Sequence, residues 1–332
     1  MISLDDFELA ARERLPHATF EFLAGGAADE HTLRWNREAF ANIRLRPRVL
    51  ADLPSIDTSV TLFGDELPLP LLLAPIGYQR LFHPDGEAET ARAGVPYVVS
   101  TSSTTTIEEI AAAATAPLWL QLYLQSDRGV TRDLVERATS LGIRALCLTV
   151  DTPVLGSRNR QQRAGFALPD GLVTPHLDAQ HRLRIHAPTW DDVDWLRSIT
   201  RLPLLLKGIL DPDDAARALD RGADGVIVSN HGARNLDTLP ATIEALPHVV
   251  ARIGDRVPVL LDGGIRRGTD IVKALAHGAA AVLIGRPYAF GLAVHGASGV
   301  ARVVEILREE LTAAMALLGR RGIGELDRSV LW

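Results

Sequence analysis

Short apolar runs rich in Leu, Val and Ile recur along the chain from about residue 70, each ending in a polar group or glycine and followed by a stretch with helical spacing. The runs are LPLLLAP ending at Pro75, YVVS (97–100), LWLQLY (118–123), ALCLTVD (145–151), LPLLLKG (202–208), GVIVSN (225–230), VPVLLDGG (257–264) and AAVLIGR (280–286). Strands this uniformly apolar are buried on both faces, as in a parallel sheet covered by helices. The segments between them carry helix signals. Asp211 stands as an N-cap before Pro212 at the first helical position, and Gly222 follows the last apolar position. TDIVKALAHG repeats the pattern and stops at Gly278. Eight such units over roughly 250 residues predict an α/β protein built as one closed (β/α)8 barrel. A doubly wound open sheet is the competing arrangement, but the G-x-G-x-x-G turn that usually follows its first strand is missing.

Two segments fall outside this rhythm within a single domain of residues 1–332. Residues 1–65 precede the first strand as an N-terminal extension, read as helices plus a short strand or hairpin at TSVTLFGDELP that covers the barrel floor. Residues 159–188, after the fourth strand, carry Gly165, Pro169, Gly171 and Pro175 and no regular pattern. A loop of that length at the C-terminal end of a barrel strand is expected to act as a lid.

Composition narrows the class. With 47% hydrophobic and 23% charged residues and a net charge of −6, the chain reads as globular, and its scattered arginines form no footprint for nucleic acid. Cys147, the single cysteine, lies in the apolar run ALCLTV and reads as a core residue, so neither a disulfide nor a cysteine metal site is expected, and no metal centre is assigned. The N-terminus has no signal-peptide pattern and no stretch approaches ~18 consecutive apolar residues, so a cytoplasmic protein free of the membrane is the expectation.

In a barrel of this kind the active site lies where the strands end. Those ends are Pro75, Ile76 and Gly77; Ser100; Gln121 with Tyr123; Thr149 with Asp151; Lys207; Ser229 with His231; Asp262, Gly263 and Gly264; and Gly285 with Arg286. Any one of them alone reads as a turn or cap. Together they supply one polar group per strand, as a convergent site requires. DGGIRRG and IGRP after the last two strands add glycines, backbone N–H groups, Arg266 and Arg286, the usual place for a barrel's phosphate site. Lys207 suits either a Schiff base or a fixed charge beside an electron-accepting ring. Gln121, Thr149 and Ser229 are uncharged hydrogen-bonders of the kind that meet the edge of a flavin.

These residues resemble the FMN-dependent 2-hydroxy-acid oxidases and dehydrogenases, a group with a (β/α)8 TIM barrel. The resemblance runs through FLAGGAADEHTLRWNREAF, LRPRVL, HPDGE (83–87), QLY (121–123), LTVDTPVLG (148–156), SNHGARNLD (229–237), LLDGGIRRGTD and IGRP. It implies His231 as the catalytic base, Asp151 as the carboxylate that holds the imidazolium, and Arg158 and Arg234 as the pair that binds the substrate carboxylate. It also implies Tyr123 near the substrate hydroxyl, and Lys207 by the flavin N1–C2 carbonyl edge. For FMN it implies Pro75, Ile76, Gly77, Ser100, Gln121, Thr149 and Ser229 at the ring and ribityl chain. Asp262, Gly263, Gly264, Arg266, Gly285 and Arg286 fall to the ribityl hydroxyls and phosphate. A small-molecule 2-hydroxy acid, oxygen as the expected acceptor, and assembly as a homotetramer follow from the same resemblance.

Three positions depart from it. Phe22 replaces a tyrosine that helps bind the substrate carboxylate, Ser102 replaces a bulky tryptophan, and Gly77 stands where many oxidases have alanine. A less polar and wider pocket is the expectation, for a mandelate-like (S)-2-hydroxy acid. A dehydrogenase or a decarboxylating monooxygenase of the same group is the alternative. An isopentenyl diphosphate isomerase, which also uses FMN, has no need of His231, Arg234 and Arg158; a lyase acting through Lys207 would be colourless, and a non-catalytic binding protein leaves the catalytic groups unexplained.

Overall fold

In a computed structural model of the chain, residues 1–177 and 186–332 are described. All eight apolar runs form strands: β3 (Leu71–Leu73), β4 (Tyr97–Ser100), β5 (Leu118–Leu122), β6 (Leu146–Thr149), β7 (Leu204–Ile209), β8 (Gly225–Val228), β9 (Val259–Asp262) and β10 (Ala281–Ile284). Each pairs in parallel with its neighbour, and β10 closes on β3, so the sheet is a closed barrel and not an open one. The expected (β/α)8 TIM barrel is thereby realised.

Alternation along the strands divides the core. Leu72, Val98, Trp119, Cys147, Leu205, Ile227, Leu260 and Leu283 fill the inside of the barrel, so Cys147 is a core residue. Leu71, Leu73, Val99, Leu120 and Leu206 face the helices outside. Pairing β4 with β5 places Ser100 beside Gln121, and pairing β6 with β7 places Thr149 beside Lys207, so polar strand ends lie in one ring above the apolar interior.

The hairpin β1 (Val60–Leu62) and β2 (Asp65–Leu67) closes the opposite mouth. Leu62 and Leu67 enter the interior cluster, and Phe63 meets Trp119 edge-on. Burying each leucine is worth about 1.5–3 kcal/mol. The three helices of the extension do something else. α2 (His17–Ala24) and α3 (His31–Asn42) reach the strand-end face: backbone oxygens of Phe22, Leu23 and Gly25 accept hydrogen bonds from Arg234, and Asn36 pairs with Asn230. The reading that places the whole extension over the floor is therefore corrected, because two arginines at the far end recruit its carbonyls.

The segment after β6 also differs from an irregular loop. It opens with α7 (Asn159–Arg163), where Arg160 forms ion pairs with Glu21 and Glu30. Part of the expected lid at 159–188 lies outside the described residues. The last helix, α12 (Arg286–Leu317), is long and apolar enough to cross a membrane by length and composition, but most of its apolar window is buried. It breaks at His295 and Gly296, where non-helical backbone angles divide it in two.

Candidate active site

The strand ends and α2 enclose a cavity of about 1240 Å³, counting its open mouth. Pro75, Ile76, Gly77, Ser100, Ser102, Gln121, Tyr123, Thr149, Arg158, Lys207, His231, Arg234, Asp262, Gly263, Gly264, Arg266, Gly285, Arg286 and Phe22 all line it. Asp151 and Ser229 do not; each stands one hydrogen bond behind the wall. Asp151 Oδ1 accepts from His231 Nδ1 at 2.8 Å. Ser229 Oγ accepts from Lys207 Nζ at 2.8 Å and from the His231 backbone N–H at 3.1 Å. Ser229 thus stands beneath Lys207 and His231, the two residues it bonds that face the cavity.

Uncharged donors lie along one wall. Gln121 Nε2 donates to Thr149 Oγ1 at 2.9 Å, and its Oε1 accepts from Ser100 Oγ at 3.1 Å, so the amide is held in one orientation. Lys207 is buried with Asp262, their charged atoms 2.7 Å apart. Burial works against its charge, but Asp262 and then Asp151 outweigh that and hold the ammonium above its ordinary range. A lysine so firmly charged is a poor Schiff-base nucleophile, which disfavours the lyase reading.

His231 is carried on unusual backbone. His231, Gly232 and Ala233 have φ of 58°, 61° and 60°, three successive residues in the left-handed region. Asn230 bridges this turn, its Oδ1 accepting from Ala233 N while the amide pairs reciprocally with Asn36. Non-glycine residues there cost of order 1–3 kcal/mol each, a strain found mostly at functional sites. The turn aims the imidazole Nε2 into the cavity, 3.4 Å from Tyr123 Oη. Burial, then Asp151, raises the Tyr123 hydroxyl to about 12, so it stays protonated at neutral pH.

Four arginines share the cavity. Arg158 donates through Nε to the Arg234 carbonyl, and Arg234 uses Nη1 on the carbonyls of Phe22, Leu23 and Gly25. Burial, then Arg158 and Arg286, pushes Arg234 well below the ordinary guanidinium value. Arg286 uses Nε and Nη2 on carbonyls of Leu23, Gly25 and Gly232, and burial with nearby Arg266 brings it down to about 9. Burial, followed by Arg37, brings Arg266 down to about 10. No carboxylate forms an ion pair with Arg158, Arg234, Arg266 or Arg286 among the described residues. Half-buried cations held only by carbonyls, with no carboxylate to balance them, call for anions.

That imbalance is the test of fit for a phosphorylated flavin. Arg266 and Arg286, at the glycine turns after β9 and β10, would take a phosphate. Asp262 Oδ1 is buried without a partner and would accept from a ribityl hydroxyl. Ser100, Gln121, Thr149 and Lys207 would meet the polar edge of the ring. Arg158 and Arg234 remain for a second, smaller anion beside His231. The site therefore defines a flavin-nucleotide oxidoreductase of the barrel type with an acidic substrate.

Comparison with known proteins agrees. The family model described as FMN-dependent dehydrogenase matches residues 11–332. The chain is 48% identical over 356 residues to the L-lactate oxidase of Nostoc sp., covering 99% of this chain and 98% of that protein. It is 46% identical over 347 residues to a peroxisomal (S)-2-hydroxy-acid oxidase of Oryza sativa subsp. japonica, covering 99% and 95%. Mandelate oxidase solved with benzoyl-formic acid superposes with a TM-score of 0.94 at 45% identity, over 99% of this chain and 97% of that one. The chain belongs to the FMN-dependent dehydrogenase family, and within it to the FMN-dependent 2-hydroxy-acid oxidases.

One cavity residue and one contact behind the cavity wall carried no signal in the sequence. Tyr78 lines the cavity with φ 60° beside Gly77. Phe166 stacks on Phe22 at 4.3 Å with an 11° interplanar angle, from 144 positions away. Gly77 has a local reason to be glycine: a Cβ there would stand 2.7 Å from Ser102 Cβ and 2.9 Å from Ser102 O. Gly77 and Ser102 are thus one packed contact between two strand-end loops, where the sequence showed two separate departures.

Proposed function

We propose that the protein oxidises (S)-2-hydroxy acids with an aryl or comparably bulky side chain, mandelate-like, to the 2-keto acid, with oxygen as acceptor and hydrogen peroxide as the second product. The apolar aromatic wall carries this reading. Phe22 is stacked on Phe166, meets Tyr78 and Phe82 at 6.3 and 6.4 Å, and has the Arg234 guanidinium 5.2 Å from its ring centre. Ser102 leaves the facing wall small. Mandelate oxidase, which superposes so closely, has been solved with benzoyl-formic acid, and a mutant of it with (S)-mandelic acid. The relatives named for lactate favour a smaller side chain, and that is the second reading.

FMN, when bound, supplies the two-electron acceptor. The chain's own groups do the rest. Arg158 and Arg234 bind the carboxylate with planar forks of donors and fix the substrate's orientation. Tyr123, kept protonated, offers its hydroxyl beside the substrate oxygen. His231 Nε2 takes the proton released on oxidation, and Asp151 on Nδ1 stabilises the imidazolium that results. Lys207 keeps a fixed positive charge at the cavity wall.

The test is anaerobic mixing of the holoenzyme with (S)-mandelate, L-lactate and glycolate. Bleaching of the flavin fastest with mandelate, and rapid return of colour in air with peroxide released, is the expected result. Faster bleaching by lactate would transfer the proposal to the second reading, and slow reoxidation would make the protein a dehydrogenase. Filling the small wall gives an independent check. Ser102→Trp should lower the mandelate-to-glycolate ratio of kcat/KM by at least about tenfold, since a single misplaced methylene is already worth about 10–200-fold in a shaped pocket.

A further inference from the structure

The strand-end motifs contain two residues to which the oxidation chemistry has given no task, Thr152 and Asn235. They meet behind the imidazole. Asn235 Nδ2 donates to Thr152 Oγ1 at 2.7 Å and to the Asp151 carbonyl at 2.9 Å. Thr152 Oγ1 in turn lies 3.1 Å from Asp151 Oδ1 and 3.2 Å from His231 Nδ1. The loops are pressed together here: a Cβ on Gly156 would stand 2.0 Å from the Asn235 carbonyl oxygen.

Counting donors and acceptors leaves one arrangement. The Asp151 carbonyl only accepts, so the Asn235 amide must present Nδ2 to it, and Asn235 Oδ1 is left buried with no partner. With Nδ2 occupying one lone pair of Thr152, the single hydroxyl hydrogen of Thr152 goes to the carboxylate. Asp151 Oδ1 then collects two close donors, the imidazole and the hydroxyl, while Asp151 Oδ2 has none. His231 Nδ1 is thereby committed as a donor, and Nε2 is the nitrogen left free to accept a proton.

We propose that Thr152 and Asn235 are positioning residues that set the basicity of the Asp151–His231 pair and hold its tautomer; this rests on the reading of His231 as the base. Without the hydroxyl donor the Asp151 carboxylate is more basic and grips the Nδ1–H of an imidazolium more tightly. The imidazolium then keeps its proton to higher pH, and the free base that catalysis needs appears only at higher pH. The other polar and charged groups around the ring are Tyr123 at Nε2, with Lys207, Arg158 and Arg234 on the same cavity wall; the Tyr123 hydroxyl also meets the Thr152 side chain, so it feels a change at Thr152, while the other three are left in place.

The experiment uses FMN-loaded wild type, Thr152→Val, Thr152→Ser and Asn235→Ala, checked first for flavin content and visible spectrum. Two pH profiles are measured: kcat/KM for (S)-mandelate, and, without turnover, the dissociation constant of phenylacetate read from the flavin absorbance. In Thr152→Val the acidic limb of kcat/KM should move to higher pH by about 0.5–1 unit, roughly half of the ~1–2 units that a lost hydrogen bond to a charged group is worth, because the bond is lost at Asp151 and reaches the imidazole through it. The pH at which phenylacetate affinity falls away should move with it. Thr152→Ser, which restores the hydroxyl, should superimpose on wild type. Asn235→Ala should shift in the same direction, and the Thr152→Val/Asn235→Ala double variant by less than the sum of the two, because Asn235 acts on Asp151 mainly through Thr152 and only at 3.5 Å through its own Nδ2. A Thr152→Val enzyme that loses rate equally at all pH values, with both profiles unmoved, would reduce Thr152 to a packing role and overturn the proposal. If wild type binds FMN but no 2-hydroxy acid reduces it, the oxidase reading fails, while the phenylacetate profiles still decide between the two outcomes for Thr152.

Discussion

Replacing the base should abolish most turnover while leaving the flavin in place. His231→Gln and His231→Asn are each expected to lower kcat and kcat/KM for the preferred 2-hydroxy acid together, by about 10²–10⁴-fold, the range associated with a general base. Two variants are needed because of the backbone. His231 sits at φ 58°, where Asn is tolerated better than Gln, so agreement between them separates lost chemistry from added strain. The flavin spectrum and the binding of phenylacetate should survive, since Arg158, Arg234, Arg266 and Arg286 are untouched. A loss smaller than about tenfold with FMN bound would remove His231 as the base. Tyr123 would then be the remaining group within reach, yet burial raises its hydroxyl to about 12 and makes it a poor base at neutral pH.

The unusual backbone at His231 also shows where sequence reading stops. SNHGARNLD announces a polar strand end, and β8 does stop at Val228 just before it. What the letters do not show is that three successive residues adopt left-handed angles, because Ala233 has no such preference of its own. The turn is imposed from outside by Asn36 on α3, which holds Asn230 through a reciprocal pair of amide bonds at 2.8 and 2.9 Å. A contact between residues 194 apart leaves no local trace.

The same distinction runs through the molecule. The barrel was legible because each strand is a continuous apolar run with turn residues at both ends, and because capping groups such as Asp211, which accepts from Asp213 N and Asp214 N, act within a few residues. The ring of cavity residues followed from it, since a strand's end is known once the strand is. Illegible were features set by pairing across the cavity: α2 lying over the strand ends, Phe166 stacking on Phe22, and Ser229 accepting from Lys207. In each case a long side chain reaches a partner that no periodicity indicates. The glycine at position 77 is similar, since its reason is Ser102 on the next loop.

Lys207 and Asp262 are the second case where a pairing decides the outcome. Both are almost fully buried, and the charged atoms lie 2.7 Å apart. Lys207→Met keeps the length of the stem and removes the charge, leaving Asp262 ionised in the barrel's upper layer with Oδ1 already unpartnered. Breaking one partner of such a pair costs ~3–5 kcal/mol, so the variant should unfold at markedly lower denaturant concentration than wild type, measured on FMN-free protein. Removing both charges separates stability from chemistry. Lys207→Met/Asp262→Asn should recover a large part of the lost stability, because no uncompensated charge remains, giving a coupling energy of up to about 3 kcal/mol in the double-mutant cycle. The rate at which substrate bleaches the flavin should not recover in that double variant, because the positive charge that Lys207 holds at the cavity wall is still missing. Recovery of the rate along with stability would mean that Lys207 serves only to neutralise Asp262, whereas additive losses of stability would mean that the two side chains act independently despite their contact.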